Sequence, residues 1–421
     1  MKYRRVRGTK DILPQDSYKW LYIEDKIKNF ANIHNYKYIK TPAFEVTDLF
    51  IRSIGDDTDI VSKEMYTFKD KGNNSLTLKP EMTAPVIRAY IEERLNQLAS
   101  VIKLYYIDSL FRQERPQKGR LRQFHQYGFE IIGSSYPEAD AEIIFLSYQL
   151  LRRFGIENMT VKVNSIGDRE SRKKYLSILR ESLEPQKKKL CKTCQIRFER
   201  NILRLFDCKE QSCQAILDEH APRIIDYISK DDREHFDEVL RFIEKAGVEC
   251  VIDHKLVRGL DYYTRTTFEI TSNLLGAQDA LCGGGRYDHL VEDLGGQPTP
   301  AVGVAGGIER LWIALEEIGK FPTDNKDFVY IASVGDDVKD FVINLIRELS
   351  ENSISYEVDL LRRSLKAQMR DANKKGARFS IIVGNEELKK NMVVLKDMQE
   401  GIQELISVDS LIKILKEKLT T

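Results

Sequence analysis

The chain has no stretch of about 18 consecutive apolar residues, so no helical membrane span is expected. Its first residues, Met1-Lys2-Tyr3-Arg4-Arg5-Val6-Arg7, are basic but run into Gly8-Thr9-Lys10-Asp11 without the apolar core of a secretory signal. Cysteine is scarce: six among 421 residues is no disulfide framework. A cytoplasmic protein is therefore the expectation. Net charge is nearly missing too, since 66 basic and 65 acidic side chains leave +1. Whether a polyanion binds must then be decided by local clustering. The common phosphate cradles are also absent: there is no G-x-x-x-x-G-K-[ST] loop and no strand–G-x-G-x-x-G–helix unit. A nucleotide, if one is handled, must be met by side chains on an antiparallel sheet.

What is present is the composition of a globular protein, 42% hydrophobic and 31% charged, in a chain long enough for two or three domains. Trp20, Ile23, Ile27, Phe30 and Ala31 recur at helical spacing after an N-terminal arm. A second helix begins near Thr47. Residues 64–69 and 75–79 read as strands around the turn Lys71-Gly72-Asn73-Asn74. A helix over 83–95 is followed by two long strands, 102–114 and 121–132, the second bulged or interrupted near Gly128. A helix from Pro137 to Phe154 and a strand at Thr160–Val163 follow. Residues from about 168 to 235 turn lysine- and arginine-rich and helical, a helical insertion before strands resume near Cys250 and Thr264. Past the linker Phe321-Pro322-Thr323-Asp324-Asn325-Lys326, strands at 328–332, 356–359 and 379–383 alternate with helices at 337–351 and 361–375. That pattern predicts a small α/β domain with a largely parallel sheet.

The densest polar segment is Phe111-Arg112-Gln113-Glu114-Arg115-Pro116-Gln117-Lys118-Gly119-Arg120-Leu121-Arg122-Gln123-Phe124-His125-Gln126, with five cations in eleven positions. An isolated basic loop is usually a solvated hairpin, but polar residues on its flanking strands point to ligand recognition. Four more stretches stand out: Leu78-Lys79-Pro80-Glu81-Met82-Thr83-Ala84-Pro85, Leu256-Val257-Arg258-Gly259-Leu260-Asp261-Tyr262-Tyr263, Ala280-Leu281-Cys282-Gly283-Gly284-Gly285-Arg286-Tyr287-Asp288 and Gly306-Gly307-Ile308-Glu309-Arg310-Leu311.

In this order, and with the arm Gly8–Pro14, these segments resemble the signatures of histidyl-tRNA synthetases, a family of class II aminoacyl-tRNA synthetases. The basic hairpin resembles motif 2, Gly306–Leu311 resembles motif 3, and Lys40–Glu45 resembles the motif 1 dimer interface. The resemblance implies an α+β catalytic domain over residues 1–325, with an antiparallel sheet flanked by helices, and an anticodon-binding α/β domain over 326–421. It implies ATP with Mg2+, histidine and tRNA-His as substrates, and a homodimer. Arg112, Arg258 and Arg310 are then the catalytic cations, and Glu114 and Phe124 join them around ATP. Glu81, Met82, Thr83, Gln126, Glu130, Tyr262, Tyr263 and Tyr287 become the histidine pocket, Glu130 and Tyr263 meeting the imidazole. Gln117 and Arg120 resemble contacts to the tRNA acceptor end. Lys79 and Met82 depart from the family's usual Arg and Gly at their positions. A non-catalytic relative, the regulatory subunit of ATP phosphoribosyltransferase, shares the Met; it should lack the C-terminal domain and lose motif 2 or Arg258.

Two features lie outside that pocket. Arg362, Lys366, Arg370 and Lys374 repeat every four residues, a basic stripe that is either a solvated face or a tRNA phosphate contact. Leu361, Leu365 and Met369 would form its apolar side, with Gly376 as C-cap. Cys191, Cys194, Cys208 and Cys213 fall within 23 residues. Their thiolates can close a tetrahedral zinc site, the alternative being four free thiols in the insertion.

Overall fold

A computed structural model describes residues 3–55, 58–276, 279–323 and 327–419. The chain divides into two compact units, Met1–Pro322 and Thr323–Thr421. Asp324, Asn325 and Lys326, where the sequence puts the domain boundary, lie outside the described residues.

The first half of the first unit runs α1 (Pro14–Ile33), β1 (Lys37–Tyr38), β2 (Phe44–Val46), α2 (Thr47–Ile54), β3 (Tyr66–Lys69), β4 (Ser75–Leu78), α3 (Thr83–Glu92), β5 (Ile102–Phe111), β6 (Gln123–Ile132), α4 (Pro137–Arg153) and β7 (Thr160–Ser165). Next come the helices α5 (Arg169–Leu183), α6 (Lys192–Arg200), α7 (Gln211–His220) and α8 (Lys230–Lys245). The unit ends with β8 (Cys250–Ile252), β9 (Thr264–Thr271), β10 (Ala280–Arg286), α9 (Leu290–Asp293), β11 (Ala301–Gly307) and α10 (Ile308–Glu317).

Eight strands make one sheet in the order β1-β5-β6-β11-β10-β9-β7-β8. The six central strands pair antiparallel, and parallel β1 and β8 flank them. Period-2 alternation decides what each face buries. Tyr105, Ile107, Tyr127, Phe129 and Ile131 pack with α1, α4 and α10 on one side. Leu104, Tyr106 and Leu110 turn to the other, where Met82, Tyr262, Tyr263 and Tyr287 join them.

Strand β6 is not bulged. Its register against β5 and β11 is unbroken through Gly128. The glycine has a different cause: a Cβ there would lie 2.2 Å from Tyr106 Cζ, so its absence seats the tyrosine ring across the strand. Nor does the helical insertion end near 235. It runs to Lys245, because Ser229 Oγ caps α8 by accepting from Asp232 N at 3.1 Å and Phe236, Val239 and Ile243 give the helix a buried stripe.

The second unit holds β12 (Val329–Val334), α11 (Lys339–Glu351), β13 (Tyr356–Val358), α12 (Leu365–Lys375), β14 (Phe379–Gly384), α13 (Asn385–Leu388), β15 (Met392–Asp397), β16 (Gln403–Ser407) and α14 (Val408–Leu419). Its sheet, β13-β12-β14-β15-β16, is parallel only across the first three strands; β15 and β16 add antiparallel. The expected basic stripe is shorter than its spacing suggested. Asp359 accepts from the Arg363 amide at 2.7 Å and fixes a turn in which Arg362 has φ of 50°. The helix starts only at Leu365, so Lys366, Arg370 and Lys374 are on it and Arg362 is not. Leu365 and Met369 pack, partly buried, on the apolar cluster with Ala372 as expected, but Leu361 is 73% exposed and takes no part; the fully buried side chains of the helix are Gln368 and Ala372. Gly376 is the left-handed C-cap.

Candidate active site

The turn between β4 and α3 brings Glu81 to a helix start. Its carboxylate accepts from the amides of Thr83 at 2.7 Å and Ala84 at 2.8 Å, capping the free N–H groups of the first turn. The Tyr262 hydroxyl reaches the same carboxylate at 3.4 Å. Thr83 in turn donates to Glu130 at 3.0 Å, and the Tyr287 hydroxyl donates to the other Glu130 oxygen. The rings of Tyr262, Tyr263 and Tyr287 stand together, with centroids 4.9 Å apart for Tyr262–Tyr263 and 5.7 Å for Tyr262–Tyr287. Phe124, Gln126 and Glu130 alternate along β6 on this face.

Lys79 and Met82, the departures, are both buried and both turned toward Thr41. Lys79 Nζ donates to the Thr41 carbonyl (3.2 Å), the Thr41 hydroxyl (3.3 Å) and Asp108 (2.7 Å), using every donor of an ammonium. The Met82 sulfur accepts from the Thr41 hydroxyl at 3.6 Å.

Three guanidinium groups face the same sheet surface. Arg112 Nε donates to the Pro80 carbonyl at 2.8 Å, and its guanidinium stands 5.2 Å from the centre of the Phe124 ring. Arg258 pairs with Glu269 at 3.0 Å and lies 5.8 Å from the Tyr263 ring centre. It sits directly over the strand: a Cβ on Gly283 would meet its Nη1 at 2.5 Å. Arg310, in the first turn of α10, donates to the Ala280 carbonyl at 2.8 Å. Burial holds the Arg310 guanidinium below its ordinary range, with the charges of Arg120 and Arg112 adding to this and Glu269 and Glu114 opposing. Arg310 therefore lies in the field of Arg112 and of Glu269, the carboxylate that pairs with Arg258. Glu114 is held by Arg120 at 3.3 Å, across a tight Gln117–Arg120 turn whose Gln117 side is exposed. The N-terminal arm closes over this loop, Arg122 N donating to the Gly8 carbonyl at 2.7 Å.

Burial pushes the Glu130 carboxyl up to about 8, partly offset by its bonds from Tyr287 and Thr83. Burial also raises Glu81, against the pull of the Ala84 and Thr83 amides and the Arg112 charge. A buried acid beside phenols, next to a cationic surface, can hold a small polar zwitterion and bring its carboxylate to a phosphate.

Residues 8–311 match the family described as Histidyl-tRNA synthetase, and 328–418 match the Anticodon binding domain. The chain belongs to the histidyl-tRNA synthetase family. Among its relatives, the Histidine–tRNA ligase of Thermoanaerobacter pseudethanolicus is 48% identical, over 99% of this chain and 100% of that one. The Histidine–tRNA ligase of Acetivibrio thermocellus is 47% identical, over 97% and 98%. A crystal structure of apo S. aureus histidyl-tRNA synthetase superposes with a TM-score of 0.82 at 37% identity, covering 98% of this chain and 99% of that one.

Within this synthetase fold two pocket neighbours escaped the motifs. Tyr106 shares the alternating face of β5, and its hydroxyl is buried under the influence of Glu130 and Glu81. Glu269, on β9, anchors Arg258. The period-2 pattern of each strand carried the signal. Motif 3 is tied to motif 2 by Glu309, which accepts from His125 N at 3.0 Å and meets its Nδ1 at 2.9 Å. Farther off, in the insertion, the sulfurs of Cys191, Cys194, Cys208 and Cys213 lie within 4.8 Å of one another. Among the described residues no helix is long and apolar enough to cross a membrane.

Proposed function

We propose that this chain is a histidine–tRNA ligase: it joins histidine to AMP from ATP, then passes the histidyl group to the 3′ end of tRNA-His. The observation that carries the reading is the Glu130–Tyr287 pair lying on the same sheet face as Arg112, Arg258 and Arg310. In the first step a histidine carboxylate oxygen bonds to the α-phosphorus of MgATP while the bond to the pyrophosphate oxygen breaks. Two anions must meet, so fixed cations are the main requirement, and the carboxylate needs no general base. Arg112 and Arg258 hold the α-phosphate and the attacking carboxylate from opposite sides. Arg310 and Phe124 bracket the adenine, and Glu114 meets its polar edge. Glu130 and Tyr263 take the imidazole nitrogens, with Tyr287 orienting Glu130. Glu81, Thr83 and Gln126 take the ammonium group. In the second step the terminal ribose hydroxyl of the tRNA attacks the activated carbonyl and AMP leaves.

Further assignments belong to the same reading. Gln117 and Arg120 meet the acceptor end, and Lys366 and Arg370 meet phosphates near the anticodon. The enzyme works in the cytoplasm as a homodimer; exposed Tyr38, Phe44, Val46 and Phe68 around the 40–45 segment offer an uncovered apolar face. The four sulfurs of the insertion hold zinc. A non-catalytic regulatory role is disfavoured, because both the C-terminal match and the arginines are present. The test is ATP–pyrophosphate exchange across the amino acids, followed by charging of tRNA-His. Exchange driven by histidine alone supports the reading; exchange driven by another amino acid but not by histidine overturns it.

A further inference from the structure

The four-cysteine cluster sits where its influence on the pocket can be traced bond by bond. Cys191 is the N-cap of α6 and Cys194 lies in its first turn; Cys208 follows the short turn after α6; Cys213 is on α7. Cys191 and Cys208 sulfurs are 4.0 Å apart, and all six cysteines of the chain are unbridged. A disulfide needs about 2.05 Å between sulfurs. A single tetrahedral zinc, with Zn–S near 2.3 Å, places its sulfurs roughly 3.8 Å apart. An iron–sulfur cluster, with several irons between its thiolates, needs them farther apart. Amide donors already face the sulfurs: Cys191 N to Cys213 Sγ at 3.2 Å and Cys194 N to Cys191 Sγ at 3.4 Å. Cys194, Cys208 and Cys213 are buried in the same apolar cluster as Tyr262, Tyr263 and Tyr287.

Four side chains of the insertion reach the segment 255–263: three from the cysteine-bearing helices α6 and α7, and one from α5, which carries no cysteine. Gln214, next to Cys213, accepts from Lys255 Nζ at 2.9 Å and donates to the Cys208 carbonyl at 2.6 Å. Asp218, on the same helix, pairs with Lys255 at 2.5 Å. Asn201, the C-cap of α6, donates to the Asp261 carboxylate at 3.3 Å. Arg172, on α5, donates to the carbonyls of Asp261 at 2.9 Å and Tyr263 at 3.3 Å. Arg258 and Tyr262 lie between these anchor points, and Tyr263 is the last of them.

We propose that zinc bound by Cys191, Cys194, Cys208 and Cys213 clamps α6 to α7 and thereby positions the 255–263 segment, making the insertion a positioning device for histidine binding. This rests on the ligase reading only for its kinetic consequence. These four side chains act on Lys255, Asp261 and the Tyr263 carbonyl rather than on substrate, so metal loss should move the histidine KM more than the ATP KM.

The experiment uses the full chain purified without chelator. Metal analysis should find one zinc per chain. Reversible removal by a chelator should speed amide hydrogen exchange in residues 253–265, raise the histidine KM by about tenfold and leave the ATP KM nearly unchanged, as for a lost supporting contact. Zinc added back should restore both the slow exchange and the histidine KM. Arg172→Gln should keep its zinc yet reproduce the histidine KM change. Absence of zinc, or unchanged exchange at 253–265 after its removal, overturns the proposal. A native chain with zinc, and with exchange at 253–265 that depends on it, but with no histidine-driven pyrophosphate exchange would sink the ligase reading and leave the clamp standing.

Discussion

The hydroxyl of Tyr287 donates to the carboxyl of Glu130, a residue 157 positions earlier in the chain, and the pair is buried with Thr83 on its other side. Because the Glu130 carboxyl is pushed up to about 8 from an ordinary value near 4.5, the folded chain holds a proton that the unfolded chain has lost at neutral pH. This group therefore weakens the fold progressively as pH climbs from about 4.5 to 8. Glu130→Gln should remove that slope: melting temperature above pH 8 should exceed that of the parent. Histidine activation should fall by roughly 100-fold or more in kcat/KM, because the imidazole loses the carboxyl group that the pocket is built to present to it. Melting curves across pH together with exchange kinetics check both halves.

Gly283 has no Cβ where Arg258 needs room. Gly283→Ala would press on Arg258 Nη1 at 2.5 Å and displace the guanidinium while keeping the strand. The expected result is a kcat for exchange reduced by about 10- to 100-fold, the usual cost of a misplaced group, with an unchanged circular dichroism spectrum. A variant with native kcat would remove Arg258 from the chemistry.

Lys79 and Asp108 are 1% and 10% exposed and joined at 2.7 Å. Lys79→Met leaves a buried carboxylate without its partner, which should cost about 3–5 kcal/mol in denaturant unfolding. Lys79→Met with Asp108→Leu should recover most of the loss, since no unpaired charge then remains. Equal losses for the single and double variants would show that the pair is not what stabilises this corner.

Neutralising Lys366, Arg370 and Lys374 together should weaken tRNA-His binding and flatten its dependence on salt by roughly one logarithmic unit of slope per lost phosphate contact. Pyrophosphate exchange should not change. Filter binding at several salt concentrations checks the first half and exchange the second; unchanged tRNA affinity would leave this helix a solvated face.

The hairpin β5–β6 was legible because ten-residue strands repeat their alternation enough times to fix two faces. Gly128 misled because a glycine in a strand reads as a bulge, whereas here the ring that needs its space comes from Tyr106 on the neighbouring strand. No local pattern contains that information. The basic stripe failed at Arg362 because four-residue spacing cannot see Asp359 taking the Arg363 amide and delaying the helix past its N-cap residue Ser364. β15 and β16 went unread although Val393-Val394-Leu395 and the turn at Gly401 were available signals. At the site, ordered motifs located the arginines, but Tyr106 and Glu269 belong to no motif and emerge only from which strand lies beside which.

The central claim is that Arg112, Arg258 and Arg310 converge on one bound adenylate, the first two at its anionic centre and the third at its adenine. The most direct measurement is calorimetric binding of a non-hydrolysable histidyl-adenylate analogue to the native chain and to Arg112→Ala, Arg258→Ala and Arg310→Ala. Each variant should bind the analogue roughly 10- to 100-fold more weakly, as expected when one charge-assisted hydrogen bond, or for Arg310 one desolvated cation–π contact, is lost, while retaining its native melting profile. Native affinity in all three variants would contradict the account.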